Sequence, residues 1–156
     1  METCQTVRGF NFIPCQAEEL NTEAVRRADR MRFYRSITNR LDMLLDHVHY
    51  QPSAPLTEGL DLVLEELDSY MGEEYECMQI HDFPLISLHR LHHSFLRDNT
   101  ADLWCRSRRG RMVLAEDIKY IRLLWLNHIH LHDQVLEDYL RTKVERKAPT
   151  IEMPQA

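Results

Sequence analysis

The sequence predicts an all-α protein, an antiparallel up-down-up-down four-helix bundle with an extended N-terminal arm. Glycine and proline are scarce, with 4 and 6 among 156 residues, which is about half the share in an average globular protein. Apolar residues recur at spacings of three and four through four long segments, as in amphipathic helices. Short connections join these segments, which favours neighbouring helices that run in opposite directions. The length suits one domain.

The N-terminal arm and the first helix differ in their patterning. Residues 1–20 mix glycine, proline, cysteine and aromatic side chains without helical periodicity, which predicts an arm packed onto the domain through Phe10, Phe12 and Ile13. The first helix is expected from about residue 21, with Asn21 or Thr22 as N-cap, to about residue 49. Its apolar stripe comprises Met31, Tyr34, Thr38, Leu41, Leu45 and Val48.

Prolines mark the limits of the second and third helices. Two prolines in the segment 51–57 predict a loop, and Thr57 is a candidate N-cap for the second helix. Pro84 suits the first turn of the third helix. The second stripe comprises Leu60, Val63, Leu67, Tyr70, Glu74 and Met78. The third comprises Ile86, His89, His93, Leu96 and Leu103.

The fourth helix has the longest stripe. The arginine-rich residues 106–111 before it predict a solvated polar turn. Heptad-like spacing then continues for about seven turns. The stripe comprises Leu114, Ile118, Ile121, Trp125, His128, His132, Val135 and Tyr139. It fades from Thr142, so we expect the bundle to cover residues 21–142 and a flexible C-terminal tail to cover residues 143–156.

Composition argues against several classes of function. Lys and Arg number 19 against 25 Asp and Glu, a net charge of −6, and phosphate contacts need a basic field, so we expect no nucleic-acid partner. No uninterrupted apolar run exceeds four residues, so we expect no membrane span. The N-terminus lacks the apolar region of a secretory signal, which predicts a cytoplasmic protein. The four cysteines form no CxxC pair and are expected to be reduced thiols without a zinc site.

Polar residues interrupt the inward stripes. Tyr70 and Glu74 do so on the second helix, His89 and His93 on the third, and His128 on the fourth. An unpaired buried carboxylate is costly, so Glu74 needs a cation or a hydrogen-bonded acid form. Histidines four residues apart lie about 5–6 Å apart at Cβ and can bind the same ion. Three imidazoles facing one carboxylate therefore indicate a metal ion.

Asp133 is a further candidate ligand with an awkward spacing. It follows His128 by five residues, which is about 140° around an ideal helix. Asp133 therefore needs a long reach or a local π-type bulge to join the same site. His132, four residues after His128, is the rival by simple helical geometry.

Three segments carry these residues in order. Residues 70–78 are Y-M-G-E-E-Y-E-C-M, residues 83–93 are F-P-L-I-S-L-H-R-L-H-H, and residues 125–133 are W-L-N-H-I-H-L-H-D. They resemble the hemerythrin family and the wider hemerythrin-like cation-binding domains. The matching family patterns are H-F-x-x-E-E-x-x-M, an aromatic–proline pair followed by H-x-x-x-H, and W-L-x-x-H-I-x-x-x-D. The resemblance covers about residues 21–140.

This resemblance implies a non-haem iron pair within the bundle. Glu74 and Asp133 would bridge the two ions, and His89, His93 and His128 would complete one of them. Two departures affect the other ion. Tyr70 takes the place of the family's second-helix histidine. Met31 takes that of its first-helix histidine, and Asp29 is the nearest oxygen-bearing alternative.

Three states of the centre follow from these departures. They are a mononuclear site at the three histidines, an asymmetric diiron site with Tyr70, and a bundle without metal. We expect bound iron, as one or two ions, although zinc suits the same ligands.

The expected function is binding or sensing of dioxygen, nitric oxide or redox state rather than catalysis. The alternative is a helical interaction module whose metal is structural or absent. A diiron oxidase or peroxidase ranks lowest, because no substrate pocket is evident. The long apolar stripes would accommodate a homodimer.

Overall fold

The computed structural model describes the backbone of residues 15–51 and 56–147 and the side chains of residues 25–51 and 56–146. This part of the chain is an all-helical four-helix bundle without strands. The first three helices are α1, Cys15–Tyr50, α2, Thr57–Ile80, and α3, Ile86–Arg108. The fourth has three consecutive parts: α4, Ala115–His128, a π-helical segment, Ile129–Asp133, and α5, Gln134–Lys147. None of the described helices has the length and hydropathy of a membrane span.

The first helix begins earlier than predicted, and the fourth helix ends later. α1 begins at Cys15, so residues 15–20 are helical rather than part of an arm, consistent with the helix-forming A-E-E-L sequence at 17–20. α5 continues to Lys147, so residues 143–147 are helical rather than tail. The predicted packing of Phe10, Phe12 and Ile13 lies outside the described residues.

The connections also differ from the expectation. α3 continues to Arg108, and Pro84 lies in the turn that precedes this helix. Arg106 is partly buried rather than fully solvated, and its guanidinium donates to the Asp117 carboxylate at 3.1 and 2.9 Å. Asp117 also accepts the backbone N–H of Leu114 at 2.8 Å, which satisfies a donor at the start of α4.

The predicted N-cap of α2 is wrong. Leu56 occupies the cap position, and Thr57 is the first helical residue. The Thr57 hydroxyl lies 3.1 Å from the Ser107 hydroxyl, which also accepts the Leu56 backbone N–H at 3.0 Å. A hydroxyl from α3 thus satisfies a backbone donor next to the start of α2, which the local sequence of α2 does not reveal.

The core runs along the interior of the bundle, where α1 and α3 each pack against both α2 and α4. All six residues of the predicted α2 stripe are buried, as are four of the five in α3. The stripe of α1 is shifted. Of the predicted residues, Met31 is 42% exposed, and Thr38 and Leu45 are only partly buried. Their neighbours Ile37 and Leu44 are buried instead. The residues of α1 that face the core are therefore Arg30, Tyr34, Ile37, Leu41, Leu44 and Val48.

The π-helical segment changes the inward face of the fourth helix. Ile118, Ile121, Trp125 and His128 are buried in α4, as predicted. After the segment, the predicted inward residue Val135 is 43% exposed, and Tyr139 is only partly buried. Asp133, Leu136 and Leu140 are buried instead. The wider π turn advances the buried positions by one residue, so the regular heptad spacing does not continue past His128.

Candidate metal centre

Five buried side chains meet between α2, α3 and the fourth helix. They are Glu74 from α2, His89 and His93 from α3, His128 at the end of α4, and Asp133 at the end of the π-helical segment. One nitrogen or oxygen from each lies within 4.8 Å of all the others. The structure thus brings together five of the six predicted site residues in one cluster, and the sixth, Tyr70, contacts both of its carboxylates.

The nitrogen and oxygen atoms of the cluster are close, but few of them form hydrogen bonds with one another. His89 Nε2 lies 2.9 Å from Glu74 Oε2, where a hydrogen bond forms. His93 Nε2 lies 3.0 Å from the same oxygen, and His128 Nε2 lies 2.8 Å from Asp133 Oδ1. Despite these distances, His93 Nε2, His128 Nε2 and Asp133 Oδ1 have no hydrogen-bond partner. Unsatisfied buried polar atoms are costly, which indicates that these atoms face a shared ligand rather than each other.

The distances suit a metal ion. Neighbouring donors in the cluster are 2.8 to 3.2 Å apart. Donors at right angles around an ion, each about 2.1 Å from it, would be about 3.0 Å apart. Three imidazoles and two carboxylates form a donor set that iron and zinc both accept. The residues therefore fit a metal ion of this class.

Opposing effects set the charges of the cluster. Burial raises the pKa of the Asp133 carboxyl, but the adjacent His128 and His89 side chains outweigh burial and hold this pKa well below its usual range. Burial and the Asp133 charge likewise raise the pKa of Glu74, and His89 and His93 lower it overall. Burial lowers the pKa of His89, yet the two carboxylates raise it to about 9. Without a metal, the cluster therefore holds a proton on His89 opposite two carboxylates.

Tyr70 lies against the carboxylate oxygens that face away from the histidines. Its hydroxyl is 2.8 Å from Glu74 Oε1 and 2.7 Å from Asp133 Oδ2. Burial and the charges of Glu74 and Asp133 raise the pKa of the phenol far above its ordinary value. Tyr70 is therefore a neutral hydrogen-bond donor to the carboxylates in this arrangement.

Aromatic rings enclose Tyr70. The ring centroids of Phe33, Tyr34 and Trp125 lie 5.7, 5.8 and 5.5 Å from that of Tyr70. Trp125 is fully buried and stacks on His128, with centroids 6.2 Å apart and an interplanar angle of 13°. The rings exclude water from one side of the centre and restrict the positions of Tyr70 and His128.

The candidate ligands from α1 do not join the cluster. Met31 is 42% exposed. Asp29 forms an ion pair with Arg32, although it lines a cavity of about 200 Å³ together with Tyr70 and Glu74. Arg30 lines the same cavity and is 7% exposed. Extending the α1 stripe backwards from Tyr34 by four residues would have identified this buried arginine, which the sequence analysis missed.

His132, the rival of Asp133, lies outside the five-residue cluster. The π-helical turn directs Asp133 inward, whereas His132 is half-buried with its ring centroid 3.6 Å from that of His92. Burial and the neighbouring histidines lower the pKa of His132 to about 4. Both rings line an apolar cavity of about 540 Å³ between α3 and α4, beside His128. His92 had no predicted role, and only the fold brings it to His132.

Comparison with known proteins identifies no relative of this chain. The chain matches no protein-family model, no curated protein and no solved structure.

Proposed function

We propose that the protein binds non-haem iron at the five-residue cluster and uses it to bind or sense dioxygen, nitric oxide or redox state. One observation carries the proposal: five buried nitrogen and oxygen donors converge, and three of them have no hydrogen-bond partner. Two adjacent buried carboxylates, Glu74 and Asp133, also call for a cation. The motif resemblance to hemerythrin-like proteins favours iron over zinc.

The chain would contribute the ligands and their surroundings. His89, His93 and His128 would each present Nε2 to the ion, with Glu74 Oε2 and Asp133 Oδ1 completing the set. When bound, iron supplies a redox couple and a Lewis acid at which a small molecule can exchange. Trp125 and Tyr70 would keep the ligands in place and exclude water from one side.

The proposal includes an antiparallel arrangement of the helices. Ion pairs join the early part of one helix to the late part of its neighbour, which supports this order. Arg30 pairs with Glu137 and Asp42 with Arg122. The hydrogen bond from the Leu56 backbone N–H to Ser107 likewise joins the start of α2 to the end of α3. We also propose a cytoplasmic location, which the free thiol of Cys105 supports.

A helical interaction module is the second candidate, because α3 and α4 expose large apolar side chains. Leu91, Phe95, Leu123 and Leu131 are 65, 51, 55 and 59% exposed. Such residues are typical of interaction surfaces when they form a contiguous patch. In this alternative the metal is structural or absent, and a partner or a second copy of the chain packs on this face.

Elemental analysis of the protein, purified without an affinity tag or chelator, tests the first candidate. We expect iron in the protein, or its uptake after anaerobic addition of Fe²⁺, and an absorption spectrum that changes when nitric oxide is added. Metal that affects the melting temperature but leaves the spectrum insensitive to nitric oxide would favour the interaction module. Failure to retain or take up any transition metal would overturn the metal-binding proposal.

A further inference from the structure

We propose that this centre holds a single metal ion, because the Tyr70 hydroxyl occupies the position between the two carboxylates that a second ion would need. The inference rests on the proposed metal binding and concerns the number of ions at that site. It departs from the ion pair that the motif resemblance implies.

Each carboxylate divides its two oxygens between different neighbours. Glu74 Oε2 and Asp133 Oδ1 face the histidines, and both lie within 3.2 Å of His89 Nε2. Glu74 Oε1 and Asp133 Oδ2 face the other way, and both contact the Tyr70 hydroxyl. Two bridging carboxylates would direct one oxygen each to a second ion, and here those two oxygens already share the phenol.

Tyr70 has little room to move away. Its side chain is 1% exposed, and the three rings of Phe33, Tyr34 and Trp125 surround it. Moving the hydroxyl out of its position would require repacking of these rings, of which Tyr34 and Trp125 are buried and Phe33 is partly buried. The hydroxyl is therefore a fixed feature of this side of the centre.

The surroundings of Tyr70 also lack a second set of donors. No histidine precedes His47 in the sequence, and the five-residue cluster is the one group of three or more converging His, Cys, Asp or Glu donors in the described part of the chain. The adjacent cavity has no histidine in its lining: its other candidate donors are Asp29, which is paired with Arg32, the exposed Glu73 and Glu76, and Cys77, and they form no converging group. The buried Arg30, whose guanidinium is paired with Glu137, also lines this cavity and offers no lone pair to a cation.

Replacing Tyr70 with histidine tests the inference, because an imidazole would provide a donor where the phenol now blocks one. We would add Fe²⁺ anaerobically to the full chain, remove unbound metal, and count ions per chain. We expect one ion in the wild type and two in Tyr70→His. The control is Tyr120→His, which adds an imidazole at a position of α4 that is 48% exposed and away from the carboxylates, and it should leave one ion.

The outcomes separate the two proposals. Two ions in the wild type would overturn the single-ion inference while supporting metal binding. No ion in the wild type would overturn metal binding itself. A folded Tyr70→His variant that still binds one ion would show that the hydroxyl does not exclude the second.

A second measurement covers the case in which Tyr70→His does not fold. Wild-type protein saturated with Mn²⁺ should give the electron paramagnetic resonance spectrum of an isolated ion, with six hyperfine lines. The spectrum of an exchange-coupled pair would overturn the inference without any variant.

Discussion

His128 and Asp133 are five residues apart in the chain, yet His128 Nε2 lies 2.8 Å from Asp133 Oδ1. In a regular α-helix these side chains would be about 140° apart around the axis. The π-helical segment Ile129–Asp133 brings them to the same face. Single-turn π-helical segments are frequent at functional sites. The local departure from α-helix therefore completes the ligand set.

Removing a histidine of the cluster should release the metal. We expect His93→Ala and His128→Ala to weaken metal binding by more than about 100-fold, since even residues that only orient ligands contribute about 10- to 100-fold. Both variants should also lose the increase in melting temperature that metal gives the wild type. Metal content after dialysis and thermal unfolding measure the two effects.

His92→Ala is the matched control for His93→Ala. It removes a neighbouring, half-buried histidine of α3 that lies outside the cluster, and it should retain the metal. Unchanged metal content in both cluster variants would contradict the assignment of these ligands.

The Tyr70 hydroxyl should contribute to stability even without metal. Tyr70→Phe removes a donor from two buried carboxylates, and we expect a loss of about 1–3 kcal/mol in the free energy of unfolding. Tyr120→Phe is the control, because Tyr120 is 48% exposed and the removal of its hydroxyl should cost about 0.5 kcal/mol or less. Urea denaturation of metal-free protein measures both values. Equal losses would argue against the carboxylate contacts of Tyr70.

The metal-free protein should be most stable near pH 6.5. The pKa of His89 is about 9 in the folded state against an ordinary value of 6.5, so its contribution is complete below pH 6.5 and is lost as the pH rises towards 9. The pKa of His132 falls from 6.5 to about 4, so its contribution is lost as the pH falls through this range. The lowered pKa values of Glu74 and Asp133 add a further loss on the acid side.

Melting temperatures of metal-free protein between pH 4 and pH 9.5 test this dependence. His89→Asn should remove the decline above pH 6.5, and an unchanged decline would exclude His89 as its cause. Because a metal must displace the proton on His89, the affinity for metal should rise with pH up to about 9.

The changed register of the fourth helix can be tested with two leucines. Leu136 is fully buried and Leu131 is 59% exposed. We expect Leu136→Ala to cost about 2–5 kcal/mol in the free energy of unfolding and Leu131→Ala to cost about 0.5 kcal/mol or less. Chemical denaturation with matched buffers measures both. A larger loss in Leu131→Ala would mean that the buried face does not change after His128.

Most of the fold was predictable because the helices are long and their stripes regular. All six predicted positions of the α2 stripe, from Leu60 to Met78, are buried, and Met71 and Cys77 are buried beside them. The five polar residues of the cluster were also predictable. Four of them lie on predicted apolar stripes, namely Glu74, His89, His93 and His128, and Asp133 completes a motif. The five-residue spacing from His128 to Asp133 required either a long reach of the Asp133 side chain or a local π-type turn, and the structure contains the turn.

The remaining features depend on contacts between distant segments. Met31 fits a helical stripe from the sequence, but the packing of α1 against α2 and α4 turns Arg30 inward instead. The Ser107 hydroxyl beside the start of α2 is 51 residues from its partner Leu56. Periodicity describes one helix at a time, so it cannot identify which polar groups of two helices will meet.

Because Trp125 stacks on His128, the fluorescence of Trp125 should depend on the metal at the centre. An excited indole loses its energy to a nearby redox-active ion, so iron at the centre should quench the fluorescence of Trp125. Zinc has a filled d shell and no redox chemistry, and it should leave the emission bright. Trp104, with the Arg108 guanidinium 5.0 Å from its ring centroid, is the second of the two tryptophans and does not contact the cluster. Dim emission from the untreated protein would thus report a redox-active ion such as iron at the centre, whereas bright emission would mean zinc or an unfilled centre.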